Sequence, residues 1–302
     1  MMILVFPSPT GTPIASAVSQ AVAGDIVLVH DGTYPEPAVT ISVSNVKVIA
    51  KNEGKAVREG FNGVTSAFLV SAASGVEING FVIQNYTANG IDVVPGSNHR
   101  IIGNTINNTL GIGIVLDIGS GNVVWRNNVQ NAGGASGIYV GSDSSWVVQN
   151  VVYNNTGPGI HLVGANSAVI GNVVSENNSY GILSTGTNHF IYGNTVTLNT
   201  FTGVIVPSNN TVLLRNLVEE TTGNGIRIAG VNGYLGGNDV DNNTETGINI
   251  SSNFNSLEFN EMEFNQNYGL TISGNENTAF GNRFTGNQPT QMSITGLDNN
   301  LF

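Results

Sequence analysis

A short apolar alternation behind a glycine recurs along most of the chain. Gly90-Ile91-Asp92-Val93, Gly113-Ile114-Val115-Leu116, Gly137-Ile138-Tyr139-Val140 and Gly159-Ile160-His161-Leu162 are followed by the same pattern at Gly181, Gly203, Gly225, Gly247 and Gly269. The steps are 23, 24 and then 22 residues throughout. A second ladder runs in phase through Asn104, Asn127, Asn150, Asn172, Asn194, Asn216, Asn238, Asn260 and Asn282. Each of these asparagines has apolar residues just before it and another two positions after it, such as Ile106, Val129 and Val152. A looser third ladder, Asn155, Asn177, Asn199, Asn243, Asn265 and Asn287, falls just before the next glycine.

Each period therefore predicts three short strands separated by Gly and Asn turns. At about 3.3 Å of rise per residue, three strands and their turns use up one circuit of 22 residues. That is the pattern of a parallel β-helix, here all-β, with about 11–12 coils of 22 residues. The crossover rule for parallel strands makes it right-handed. Identical residues then stack about 4.8 Å apart. Stacked asparagines bond amide to amide, and they tolerate left-handed turn geometry.

The start of the chain differs. Ile14, Ala17, Val18, Ala21 and Val22 lie at helical spacing, and Gly24 stops the helix. Strands follow at 25–29, 39–43 and 46–50, with a turn at Gly32-Thr33-Tyr34-Pro35. An amphipathic helix over the open first coil would cover its core, as solenoid ends require. Residues 1–67 thus read as an N-terminal cap with the first irregular coils, the stretch 51–67 being the least regular. Residues 68–302 read as regular repeats of the same continuous domain.

Composition agrees with strands. The chain has 44 Asn and 39 Gly, both poor helix formers. Charged residues make up 10 %, against about 25 % in an ordinary soluble domain. The net charge is −11, and residues 61–302 hold five Arg, no Lys and fifteen acids. No basic patch exists for phosphates, which excludes nucleic acid, and anionic membranes are excluded for the same reason. No apolar run approaches the roughly 18 residues of a membrane helix. Cysteine is absent, so no disulfide or Cys metal site forms. The start, Met1-Met2-Ile3-Leu4-Val5-Phe6-Pro7, lacks the basic region of a secretion signal.

The segment Ala17-Val18-Ser19-Gln20-Ala21-Val22-Ala23-Gly24-Asp25, with His30-Asp31-Gly32-Thr33-Tyr34-Pro35-Glu36, resembles the N-terminal cap of the pectin-lyase-like superfamily of right-handed parallel β-helices. The Gly-Asn-x-Val and Asn-x-x-Gly-Ile repeats resemble its carbohydrate-binding and sugar-hydrolysis domain branch. This resemblance implies a saccharide groove along an outer sheet, a polysaccharide or glycan surface as partner, and an extracellular or cell-surface setting. The superfamily holds lyases, hydrolases, epimerases, adhesins and inert scaffolds, so activity does not follow from it. The Asp and Arg set of pectate lyases cannot be matched here, and the Asp-Pro-His-Asp motif of alginate epimerases is absent. The unbroken 22-residue period from Gly137 also leaves no long loops to wall a catalytic cleft.

Candidate chemistry must lie on outward positions. Two residues after each glycine these are Asp92, Val115, Tyr139, His161, Leu183, Ile205, Arg227, Asn249 and Thr271. Tyr139 and His161, with Asp117 and Asp143 near in sequence, form one candidate saccharide contact, together with Arg227. A Tyr face can stack on a sugar and His161 can serve as a general base; the alternative is a partly packed surface Tyr and His. His30, His99 and His189 read as unrelated phases of the repeat, with no metal-ligand spacing. On the strand before the Asn ladder, Trp125, Trp146, Phe190, Tyr192, Tyr234 and Phe280 point outward. Such an apolar outer sheet suggests self-association, packing under the N-terminal segment, or sugar stacking.

On the strand after the ladder, the outward pairs are Leu217/Glu219, Asp239/Asp241, Glu261/Glu263 and Arg283/Thr285. Five carboxylates thus form a grid. It reads as a Ca²⁺ site, as a glycosidase carboxylate pair with Asp241 and Glu263 as candidates, or as a solvated acidic stripe. Together these features predict an extracytoplasmic surface or scaffold protein that contacts carbohydrate without a clear catalytic centre. The competing reading is a polysaccharide lyase or glycoside hydrolase acting from an outer sheet. The last coil offers only Leu297, Leu301 and Phe302 as apolar cover, which adds to the expectation of a homo-oligomer.

Overall fold

A computed structural model describes residues 1–8, 11–61 and 65–302 of the chain. Of the irregular stretch 51–67, residues 62–64 lie outside the described residues. The chain divides into two compact units, Met1–Gly157 and Pro158–Phe302. Each is built from three sheets, and every paired strand in both is parallel to its neighbours.

In the first unit, the sheet that precedes the Asn corner has seven strands, the sheet after it six, and the glycine-strand sheet five. The N-terminal segments already coil in register: Met2 pairs with Ile26, Ile26 with Lys47, and Lys47 with Glu77. Val39 pairs with Phe68, so the first 67 residues and the regular repeats share sheets. This early coiling brings the chain to about 13 turns, more than the repeats from Gly90 suggest. In the second unit the same three sheets have seven, six and seven strands.

Each short strand turns its central residue or its two flanking ones inward. Ile106, Val129 and Val152 in the first unit, and Val174, Val196, Val218, Val240 and Met262 in the second, are fully buried. Burying a side chain of this size contributes about 1.5–3 kcal/mol. The glycine ladder follows from this stack. A Cβ at Gly181 would lie 2.4 Å from Val196 Cγ1, and one at Gly225 would lie 2.3 Å from Val240 Cγ1. The valine that fills the core leaves room for hydrogen alone.

At most corners a residue in the left-handed region is followed by a buried polar residue that bonds to the next coil; Val76, Phe81, Ala132 and Gly233 stand in that place in single coils and bond to the next through backbone N–H. At the Asn corner the left-handed residue is Gly103, Arg126, Gln149, Gly193 or Arg215, not the ladder asparagine itself. The asparagines hold the stack. Asn194 N and Nδ2 both donate to Asn216 Oδ1, at 3.0 and 2.9 Å, and Asn194 Nδ2 also donates to Val169 O at 3.0 Å. The second ladder behaves alike: Asn243 N and Nδ2 donate to Asn265 Oδ1.

The helix is Pro13–Gln20, shorter than its spacing suggests, and it buries Ile14, Ala17 and Val18 while Val22 is exposed. Thr12 makes no side-chain cap. Instead the Glu36 carboxylate accepts from Ile14 N and Ala15 N, at 2.9 and 3.0 Å, placing negative charge on the helix start. Fully buried Arg58 stands 3.9 Å from Glu36 and donates to the carbonyls of Pro37 and Ala67. Among the described residues no helix is long and apolar enough to cross a membrane.

Candidate functional site

The outward face of the glycine-strand sheet is less polar than expected. In the first unit Asp92 pairs with Val115 and Val115 with Tyr139, and Val115 is buried between them. Burial raises the Asp92 carboxyl, against the bond it accepts from Asn89 Nδ2 at 3.0 Å. Asp117 lies at the strand end, its backbone close to the Tyr139 ring across Gly141. In the second unit the register runs His161, Leu183, Ile205, Arg227, Asn249. Two apolar coils therefore separate His161 from Arg227, so these two predicted contacts are not brought together. His161 Nε2 lies 3.3 Å from Thr185 Oγ1, and burial lowers its pKa below the usual imidazole value.

Arg227 instead borders a depression of about 380 Å³ at the turn that enters this sheet. Stacked in the same turn position, two residues before each ladder glycine, are Phe201, Gly223 and Glu245. Gly223 leaves a gap one coil wide between the aromatic and the acid. Tyr180 packs beside Phe201 with ring centroids 5.8 Å apart, and Phe201 is 53 % exposed. On the other side Asn224 Nδ2 donates to Glu245 Oε2 at 2.5 Å, and Arg227 is exposed. The gap joins an aromatic shelf to a carboxylate, an amide and a guanidinium. Strand alternation could place Arg227 but not Phe201, Gly223 and Glu245, which sit outside the strands. The signal was in the sequence as Phe201, Gly223 and Glu245 two residues before successive ladder glycines, with Tyr180 one residue before Gly181.

The acidic grid forms as the alternation predicts. Leu217, Asp239, Glu261 and Arg283 stand in one column, and Glu219, Asp241, Glu263 and Thr285 in the next. Asp241 is pushed up to about 7, first by burial and then by its bond to the Asp239 carboxyl and the charge there. Glu263 N donates to Asp241 Oδ1 at 2.9 Å. Glu261 is raised first by its side-chain hydrogen bond to Glu263, while Glu219 is raised mainly by burial. Arg283 closes the row, 2.8 Å from Glu261 and 3.7 Å from Glu263. Neighbouring carboxyls thus pair along the strands Asp239–Asp241 and Glu261–Glu263. Among the described residues no three His, Asp or Glu side chains gather so as to hold a metal ion.

Two histidines need reassignment. His99 and His189 are not at unrelated phases: both stand in a third buried ladder, at the corner before the Trp and Phe strand. In the first unit His99 N donates to Asn122 Oδ1 and His99 Nδ1 accepts from Val76 N. In the second, His189 Nδ1 accepts from Ser167 N, and Gly233, Asn255 and Asn277 each donate backbone N–H to the next asparagine. Histidine, serine and threonine share this column with asparagine, which hid it from a search for asparagine alone. The aromatic outer face is present in each unit. Trp125 and Trp146 border a shallow hollow of about 370 Å³ in the first, and Phe190 stacks on Tyr192 at 5.7 Å in the second.

Comparison with known proteins agrees with this architecture. Among solved structures the chain is similar to the A-module of a mannuronan C-5 epimerase of Azotobacter vinelandii, at 14 % identity and a TM-score of 0.73, covering 96 % of this chain and 92 % of that one. It is also similar to the catalytic domain of a GH87 α-1,3-glucanase in complex with nigerose, at 15 % identity and 0.64, covering 98 % and 68 %. A third is PfbA, a surface adhesin of Streptococcus pneumoniae, at 12 % identity and 0.61, covering 95 % and 89 %. At such identities the likeness is one of fold. No curated protein matches the chain in sequence. The family model described as right handed beta helix region matches residues 36–174 and 168–302. With three parallel sheets, stacked polar corners and a match along nearly its whole length, the chain belongs to the right-handed β-helix family.

Proposed function

We propose that this chain is a surface or scaffold β-helix, outside the cytoplasm, that binds saccharide in the gap at Gly223. The observation that carries this is the arrangement of Tyr180 and Phe201 on one side of a one-coil gap and of Arg227 and Glu245 on the other. An exposed aromatic face stacks on the C–H face of a pyranose, while a carboxylate accepts from its hydroxyls and a guanidinium donates to them. The names of the structural neighbours, two of which act on polysaccharide, support the same ligand class. The test is titration with cello-, nigero- and mannuronate oligosaccharides followed by calorimetry. Phe201→Ala and Arg227→Ala, both at exposed positions, are expected to weaken binding roughly tenfold or more without changing the fold. Unchanged affinity in both variants sinks the site.

A catalytic reading is favoured by one feature, the Asp241 carboxyl near 7, a value suited to a general acid. Depolymerisation of an acidic or neutral polysaccharide that is lost in Asp241→Asn would establish it over the binding reading. Self-association is proposed through the apolar outer faces, with Trp146, half exposed, as the probe in the first unit. Sedimentation at high concentration should report an oligomer that Trp146→Glu dissociates; a monomeric parent chain rules it out.

A further inference from the structure

A second one-coil gap lies in the second unit, on a different face. In the sheet before the Asn corner the column runs Leu214, Gly236, Glu258, Phe280. In the corner that follows, Arg215, Gly237, Phe259 and Gly281 are all left-handed, with φ of 51°, 58°, 53° and 63°. Two adjacent glycines, Gly236 and Gly237, therefore remove both side chains of a single coil. Leu214 Cδ2 and the Tyr234 ring lean over Gly236, 2.7 and 3.0 Å from where a Cβ would stand, and beside them a cavity of about 260 Å³ opens over Gly237 between Arg215 on one side and Glu258 and Phe259 on the other.

The walls are held in place. Tyr234 Oη donates to Glu258 Oε2 at 3.0 Å, and Ser256 Oγ donates to Glu258 Oε1 at 3.2 Å. Both carboxylate oxygens are thus oriented, with lone pairs left over. Phe259 adopts a backbone conformation that bulky residues rarely enter. Its ring lies against Gly281, where a Cβ would come 2.7 Å from Phe259 Cε1, and meets Phe280 edge to face at 5.4 Å. Even so, Phe259 is 61 % exposed. A hydrophobic ring fixed by two neighbours, left in solvent and set at a strained corner, does nothing for the core. Among the described residues Arg215 makes no ion pair, so its donors are available.

We infer that the Gly236–Gly237 gap is a second saccharide site, which takes a single neutral hexopyranose residue between Phe259, Glu258 and Arg215. The Phe259 ring supplies the stacking platform, Glu258 accepts from vicinal hydroxyls, and Arg215 donates across the opening. The volume lies just under the roughly 300 Å³ at which pockets for drug-sized ligands begin, and suits one ring, not a chain crossing the wall. Residues 219–263 hold eight acids and one Arg, a surrounding charge that disfavours uronates. The inference rests on the saccharide reading above and adds a binding point on another face, so that one polymer or two could engage both.

The test follows backbone amide resonances of ¹⁵N-labelled chain during titration with cellotetraose, nigerotetraose and a mannuronate tetrasaccharide. Either neutral sugar should shift Gly236 and Gly237. Phe259→Ala and the near-isosteric Glu258→Gln should each weaken that response roughly tenfold while leaving shifts at Gly223 and Asn224 intact. Shifts confined to Gly223 and Asn224 overturn the second site and leave the first standing. Silence at both pairs overturns both. A response at Gly236 and Gly237 that follows protein concentration without sugar assigns the gap to a second copy of the chain and overturns the inference, as does a mannuronate that binds there more tightly than the neutral sugars.

Discussion

Asn238 and Asp239 are adjacent in sequence, and each belongs to a column repeated coil upon coil, yet the two columns behave in opposite ways. Asn238 is buried at the corner. Its Oδ1 accepts from Asn216 N and Nδ2, and its Nδ2 donates to Leu213 O and Asn260 Oδ1, at 2.8–3.0 Å. Asp239 faces outward with Glu261 stacked on it. An amide is donor and acceptor at once, so a stack of amides satisfies itself. An ionised carboxylate only accepts, so a stack of carboxylates needs protons, cations or an arginine. Repetition in a solenoid amplifies whichever property the residue has.

The contrast breaks most visibly at the buried column. Asn238→Ala removes the acceptor of Asn216 N and Nδ2 and the Nδ2 bond to Leu213 O, while Asn260 Oδ1 keeps its bond from the backbone N–H of residue 238. We expect a loss of about 2–5 kcal/mol in denaturant unfolding, since each orphaned buried group costs about 1–3 kcal/mol. Asn238→Asp keeps the shape and loses the donor, so a comparable loss at pH 7 should partly recover once the new carboxyl is protonated. A loss below about 1 kcal/mol in both variants would show that the ladder is not what holds the corner.

The outward column should respond the other way. Because Asp241 titrates near 7 in the folded chain and near 3.8 when unexposed to its neighbours, the folded state holds the proton more tightly. This group's contribution to stability is complete below about pH 4 and is lost as pH rises through 7. Half exposure and solvent screening limit it to about 1 kcal/mol, a shift of about 2–4 °C in melting temperature. Acidification from pH 8 to pH 5 should raise the melting temperature of the parent chain relative to Asp241→Asn, and Asp241→Asn should be the more stable of the two at pH 8. Parallel pH profiles would show that the carboxyls at this site are not coupled.

The smallest effect belongs to the edge of the grid. Arg283 is 69 % exposed beside Glu261 and Glu263, so Arg283→Gln should cost no more than about 1 kcal/mol at low salt and less at high salt. A salt-independent loss would mean that Arg283 acts through packing and not through its charge.

Much of this is legible in the sequence alone. The steps of 22 residues, the two asparagine ladders, the helix that buries Ile14, Ala17 and Val18, and the outward grid of Glu219, Asp239, Asp241, Glu261 and Glu263 all follow from local pattern. The third ladder was hidden because His99 and His189 fill the corner through ring nitrogens where other coils use an amide. Arg227 was visible as an outward residue, but its neighbours Phe201 and Glu245 lie in turns, where strand alternation says nothing about direction.

The sequence by itself determined the period, the parallel strands, the inward stack and the identity of each column. These depend on contacts between residues one coil apart, which the repeat places at a fixed separation along the chain. Only the tertiary structure decided which turns left a gap, that burial and the neighbouring Asp239 raise the Asp241 carboxyl, and that the Glu36 carboxylate, not Thr12, caps the helix. Those outcomes depend on the direction of side chains at left-handed corners and on residues far apart in sequence. A repeating pattern constrains neither.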